Sequence, residues 1–247
     1  MLLTALSILA STALAFDHSA LSSVLASHVR KEGVNYTALA TNRAPLSAYL
    51  DSLAAADLSG AEKAEQMAFW LNAYNAMTLD VMAQEWPVLS IQQVDVGEVW
   101  KARTRMLAGK KRTLDAIEHA QLRPMGDARI HAALVCAAKS CPPLRPTAYT
   151  VADLEAELDA AARAWVATTA VTLNRTKKHI SLSRIFEWFA EDFTAAYSTY
   201  DIPNVEGAHE VALNFVATYS SPKERVWIRS GDYTVDWASY DWSVNGQ

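Results

Sequence analysis

The sequence predicts an α+β protein, predominantly helical, organised as a single domain around a buried central helix with short β-hairpins. Three observations predict it. Residues 61–85 carry Met67, Phe69, Trp70, Leu71, Tyr74, Met77, Leu79, Val81 and Met82, which cover almost every direction around a helix axis. A helix that is apolar all round is a buried one. Two pairs of short alternating runs, 171–173 with 180–182 and 226–228 with 233–235, flank polar turns, which is the pattern of hairpins. The 247 residues are 51% hydrophobic and 20% charged, and their 8 Gly and 8 Pro form no linker or repeat, so the composition suits one globular unit.

The elements follow in order. Residues 17–31 read as a helix with Leu21, Val24, Leu25 and Val29 on one face, ended by Gly33 and followed by an extended link at Val34, Asn35 and Tyr36. A second helix spans 44–55, and the central one follows. Residues 89–99 are short and irregular. Thr113 caps a helix through Leu122, with Asp115 and Glu118 near its positive end. Residues 129–139 form a small-residue apolar segment, helix or buried strand, which Pro142, Pro143 and Pro146 stop. Thr150 and Asp153 resemble a capping box opening an amphipathic helix with Leu154, Leu158, Ala161, Trp165 and Val166. The first hairpin, helices at 183–189 and 205–219, the second hairpin around Ser230, Gly231 and Asp232, and an aromatic tail with Trp237, Tyr240 and Trp242 complete the chain.

Residues 1–15 read as a signal peptide. They are uncharged and apolar, and Ala13 and Ala15 make an A-x-A-type cleavage site before Phe16. The run is too short to span a bilayer, and no later stretch is long and apolar enough. The mature unit, 16–247, is therefore expected to be exported, periplasmic or extracellular, with no integral membrane segment. A net charge of −5 argues against nucleic acid, whose binding rests on clustered Lys and Arg. The one basic cluster, Lys101, Arg103, Arg105, Lys110, Lys111 and Arg112, reads as a solvated loop or hairpin. Oligomeric state is not legible.

Five segments occur in order: Ala68-Phe69-Trp70-Leu71-Asn72-Ala73-Tyr74-Asn75, then 113–119, 130–144, 186–193 and 240–245. Together they resemble the domain-of-unknown-function family numbered 547, across most of the mature chain. The resemblance implies a shared fold unit and no particular reaction.

The chemistry-bearing residues gather in those segments. His131 and Cys136 are five apart, and Cys141 lies five further on. A thiolate nucleophile needs a base and a group to orient the base. His131 or His119 could be the base, with Glu118, Asn72, Asn75 or Asp192 orienting it. Cys141, before two prolines, is the expected exposed thiol, and Cys136, in an apolar run, the buried one. Export favours a Cys136–Cys141 disulfide instead, although five residues of straight helix would hold the Cα atoms about 8 Å apart. Asn72 and Asn75, three apart on one helix face, either orient a base or tie loops to the central helix by side-chain-to-backbone bonds. The trailing aromatics are either a carbohydrate or peptide platform or simple packing. No C-x-x-C, H-E-x-x-H, P-loop or dinucleotide fingerprint is present, so no metal and no cofactor is expected. Two functions follow: a Cys/His-dependent hydrolase or acyl-transfer enzyme acting on a small-molecule or peptide substrate, or a non-catalytic envelope or secreted binding or structural domain stapled by its cysteines.

Overall fold

The computed structural model describes residues 15–247, and the signal-peptide expectation lies outside the described residues except at Ala15. Helix α1, Ser19–His28, buries Leu21, Val24 and Leu25 and leads into a two-stranded ribbon of β1, Val29–Arg30, and β2, Gly33–Val34. A short helix not foreseen in the sequence, α2, Tyr36–Thr41, follows because the Asn35 side chain accepts from the Ala38 N–H, a local cap that outweighs the extended reading. Helix α3, Ala44–Ser52, continues as a tight turn at Leu53–Ala55.

The central helix α4, Lys63–Glu85, is buried without interruption from Met67 to Ala83. Its apolar faces meet α2 and α3 on one side and the segment after Thr113 on the other. Residues 91–97 form a kinked 3₁₀ stretch, followed by α5, Val99–Ala102. The basic cluster begins with Lys101 on α5 and Arg103 just after it, and continues on a hairpin of β3, Arg105–Leu107, and β4, Lys110–Arg112. Much of its charge is already partnered. Arg103 bonds Asp95 and Glu85 at 2.6 and 2.5 Å, Arg105 bonds Asp80, and Arg112 lies over the Trp70 ring.

Thr113 caps α6, Leu114–Ile117, by accepting from the Ala116 N–H at 3.0 Å. The chain then widens into a π-helical turn, Glu118–Leu122, a feature found often at functional sites. Helix α7 is only Ile130–Ala133. The prolines do not stop it, being several residues further on. Asn75 does, because its amide donates to Ala133 O and accepts from Val135 N, taking over the bonds a further helical turn would have made.

Helix α8, Leu154–Val166, starts at Asp153 without a side-chain cap. Half of the expected capping box is formed, the Asp153 N–H donating to Thr150 Oγ1 at 3.3 Å, while the reciprocal bond comes from the Glu157 carboxylate, which reaches back to the Thr150 N–H at 2.7 Å. Strands β5, Val171–Asn174, and β6, His179–Leu182, form the first hairpin. Helices α9, Arg184–Trp188, α10, Ala190–Tyr197, and α11, Gly207–Tyr219, follow. The second expected hairpin is not formed. Residues Pro222–Ile228 are a helix, α12, with a capping box between Ser221 and Glu224. Residues Thr234–Trp237 are a strand, β7, which pairs parallel to β6 in the order β5-β6-β7. Ser-Pro-x-Glu opens a helix more strongly than three alternating apolar residues open a strand.

Two large apolar clusters result, one around α4 and one around Trp165, Phe186, Phe193 and Phe215, with a small third of Val135, Ala138 and Cys141. The chain's last stretch ties several parts together. Lys139 N donates to Ser243 O, Asn245 N to Ala137 O, and Gln247 N to Val34 O, at 2.8–3.0 Å. A side chain at Gly246 could not be accommodated, since its Cβ would lie 2.0 Å from Val34 O. Among the described residues no helix is long and apolar enough to cross a membrane.

Candidate functional site

A cavity of about 220 Å³ is lined by residues from both large apolar clusters. Tyr74 enters it from α4, Glu118 and His119 from the π-helical turn, His131 from α7, and Cys136 from the segment beyond. The fold thus brings four of the sequence-derived candidates, Glu118, His119, His131 and Cys136, to one place. The other four, Asn72, Asn75, Cys141 and Asp192, do not line it.

The two asparagines act from behind. Asn72 donates to Tyr149 O and accepts from Tyr149 N, both at 2.8 Å. Asn75 makes the same two-point bond around Leu134, at 2.9 and 3.0 Å. Each amide mimics a peptide partner for a strand-like segment. These residues tie loops to the central helix, and Asn75 holds the segment that connects His131 to Cys136.

His131 is buried, 3% exposed, and its Nε2 lies 2.7 Å from Asp192 Oδ2. Asp192 also accepts Nε and a terminal nitrogen of Arg123, at 2.6 and 3.0 Å. Burial raises the Asp192 pKa, but the His131 and Arg123 hydrogen bonds overcome it and leave the carboxyl below its ordinary range. An ionised carboxylate can only accept, so His131 donates from Nε2 and carries its lone pair on Nδ1. Burial depresses the His131 pKa, against the pull of Asp192, and keeps the ring neutral near pH 7. The ring stacks on Phe189, centroids 4.2 Å apart, which fixes its plane.

Glu118 is 9% exposed. Burial pushes its carboxyl up to about 7, the Tyr74 hydroxyl and Arg123 pull it down, and Asp115 and Asp192 push it up further. His119 lines the same cavity but bonds to other partners. Its Nδ1 lies 3.0 Å from Arg123, and its Nε2 lies 3.7 Å from Asp115.

The Cys136 and Cys141 sulfurs sit at disulfide-bonding distance, with Cα atoms 6.2 Å apart, and no described cysteine is free. The gap closes because the chain is not helical here. It leaves α7 at Leu134 and turns at Ala137, φ +61°. The expected exposures are reversed. Cys141 is 3% exposed and packs against Val135 and Ala138, whereas Cys136 is half-buried and faces the cavity. The prolines after Cys141 run along another groove and leave its side chain inside. The Tyr240 hydroxyl touches both sulfurs, at 3.2 and 3.3 Å. Cys136→Ser/Cys141→Ser should lower unfolding stability by about 2 kcal/mol, from the entropy of so short a loop. Alkylation of the folded protein without reductant should label neither cysteine, as read by intact mass.

The aromatic wall holds residues that reasoning from sequence passed over. Trp100 and Trp188 look like core residues in sequence, and Tyr74 is hidden among the apolar residues of α4. Arg123 carried one signal, since it lies four residues after His119 on one helical face. Of the trailing aromatics, Tyr240 and Trp242 line the cavity, while Trp237 stacks on His209 instead. Among the described residues no group of three or more His, Cys, Asp and Glu is placed to hold a metal ion.

No curated protein and no solved structure gave a match. Residues 58–166 match the family described as "Protein of unknown function, DUF547". That span holds α4, Glu118, His131 and both cysteines, and it ends before the segments at 186–193 and 240–245. On this match residues 58–166 of the chain are a DUF547-like region.

Proposed function

We propose that the cavity is the active site of an exported hydrolase in which His131, oriented by Asp192, activates water. The observation that carries this reading is a buried neutral imidazole, bonded through Nε2 to an ionised carboxylate, on the wall of an aromatic cavity. Such a ring has a free lone pair and a partner that steadies the cation it becomes. His131 takes a proton from water while the oxygen adds to a carbonyl carbon. It then returns that proton to the departing alcohol or amine, leaving a carboxylic acid. The Cys136–Cys141 bridge offers no thiolate, so its part in this reading is structural. Export is supported by that bridge, which persists in oxidising compartments, and by the leader-like residues 1–15.

The test is turnover of ester, amide and peptide panels without reductant. His131→Ala should lower kcat/KM about a hundredfold. The rate should rise with pH along a limb below 6.5, because the base must be unprotonated and burial lowers its pKa. No turnover on any panel, or turnover indifferent to His131→Ala, overturns the enzyme. The second reading, a binding domain, then leads. It is favoured by the stapled cysteines and the aromatic lining.

A further inference from the structure

We infer that the ligand of this cavity carries an alkylammonium group, held against the aromatic wall of Trp100, Trp188, Tyr240 and Trp242 with the Glu118 carboxylate as its counter-charge. This names the substrate class for the site proposed above, and rests on that reading only in taking the cavity as the ligand site.

Two independent observations carry it. The first is the aromatic set. Trp188 and Trp242 stack at 5.9 Å with 21° between planes, Tyr240 lies 4.6 Å from Trp242 and 4.9 Å from Trp188, and Trp100 meets Trp242 edge-on at 5.9 Å. These rings come from three separate parts of the chain, and all line one cavity. Aromatic faces carry negative potential and attract cations.

The second is Glu118. It is nine-tenths buried and lines the cavity, yet it forms no ion pair with any described residue. Buried carboxylates are normally paired. The lining contains Asp115 and Glu118 but no Lys or Arg. The nearest guanidinium, Arg123, directs two donors to Asp192 and a third to His119, and its face covers Phe189. The missing counter-charge of Glu118 is thus one the protein does not supply, in a chamber whose walls favour a cation. An anionic ligand would meet a carboxylate with no Lys or Arg in the lining to compensate it.

Glu118 is faced by Tyr74 from α4, Asp115 and His119 from its own segment, Arg123 just beyond, His131 from α7, Asp192 from α10, and Tyr240 from the tail. A bound cation needs the ionised carboxylate, so binding should strengthen as pH rises through about 7.

The experiment is a tryptophan-fluorescence titration of the full chain with choline, n-butylammonium and the neutral isostere of choline, 3,3-dimethylbutan-1-ol, with cellobiose as a fourth ligand. At least one ammonium should bind about tenfold more tightly than the neutral alcohol. That preference should disappear in Glu118→Gln and fall in Trp188→Ala, a residue 47% exposed whose loss should leave the cores intact, as thermal melting checks. It should also weaken at acid pH in the wild type and not in Glu118→Gln. Equal affinity for cation and isostere overturns the inference, as does absence of binding by either ammonium, or tighter binding of cellobiose that survives Glu118→Gln. No step of the titration needs turnover, so an ammonium preference in a protein that hydrolyses nothing sinks the hydrolase alone. Hydrolysis of neutral esters without that preference sinks the cation alone.

Discussion

Asn75→Ala is expected to lower the free energy of unfolding by about 4 kcal/mol, because it strands a buried donor and a buried acceptor at about 1–3 kcal/mol each and leaves a small void. The groups stranded are Ala133 O and Val135 N. The site is closed, as Asn75 is 4% exposed on a helix buried on every side, so water has no easy route to replace the amide. The effect should reach function too. Leu134 sits between the two bonded groups and lines the cavity, with His131 just before it and Cys136 just after. Urea denaturation gives the stability, and the His131-dependent rate gives the site. A loss below about 1 kcal/mol would mean that the segment finds other partners, and the view of Asn75 as its clamp would be lost.

Glu118→Gln should change how stability depends on pH. The Glu118 carboxyl titrates near 4.5 when unfolded and near 7 in the folded protein. Between those values the folded state holds a proton that the unfolded state has released. Wild-type stability from this group is therefore fully present below about pH 4.5 and is lost as pH rises through about 7. The difference corresponds to about 3 kcal/mol. Glutamine has no proton to lose, so the variant should gain that amount relative to wild type between acid and mildly alkaline pH. His131 works in the opposite sense. Its folded pKa is depressed, so it costs stability as pH falls below 6.5, but it does so in both proteins and cancels in the comparison. Parallel stability curves for the two proteins from urea melts would show that Glu118 is solvated in the folded state.

The parts of this molecule that could be read in one dimension are those set by local periodicity. α4 was legible because apolar residues on every face leave only one environment for a helix. The β5–β6 hairpin was legible because its alternation brackets a polar turn. The π-helical turn at Glu118 was not, since nothing in Glu-His-Ala-Gln-Leu departs from helical preference and tertiary contacts set the wider turn. α12 was misread because Val226 and Ile228 alternate like a strand, although Val226 is 73% exposed on a helix. Ser221, Pro222 and Glu224 were the overriding signal. At the site, the amide pairs of Asn72 and Asn75 answer one of the two readings their spacing allowed. Asp192 was one of several groups that could orient a histidine, and only the packing of α10 against α11 and α9 selects it. The aromatic wall was invisible as a unit, because Trp100, Trp188 and Trp242 are each ordinary core-type residues until the tail folds back.

That folding back makes the chamber depend on the far end of the described chain. Tyr240 and Trp242 are held by bonds from the disulfide segment and lie just before the residues that zip onto Val34. The bonds among His131, Asp192 and Arg123 involve none of residues 240–246. Without that stretch the same group would face an open-sided basin with one aromatic flank missing. A protease that nicks the chain after Trp237 should therefore open the chamber, while the bonds that orient His131 stay in place.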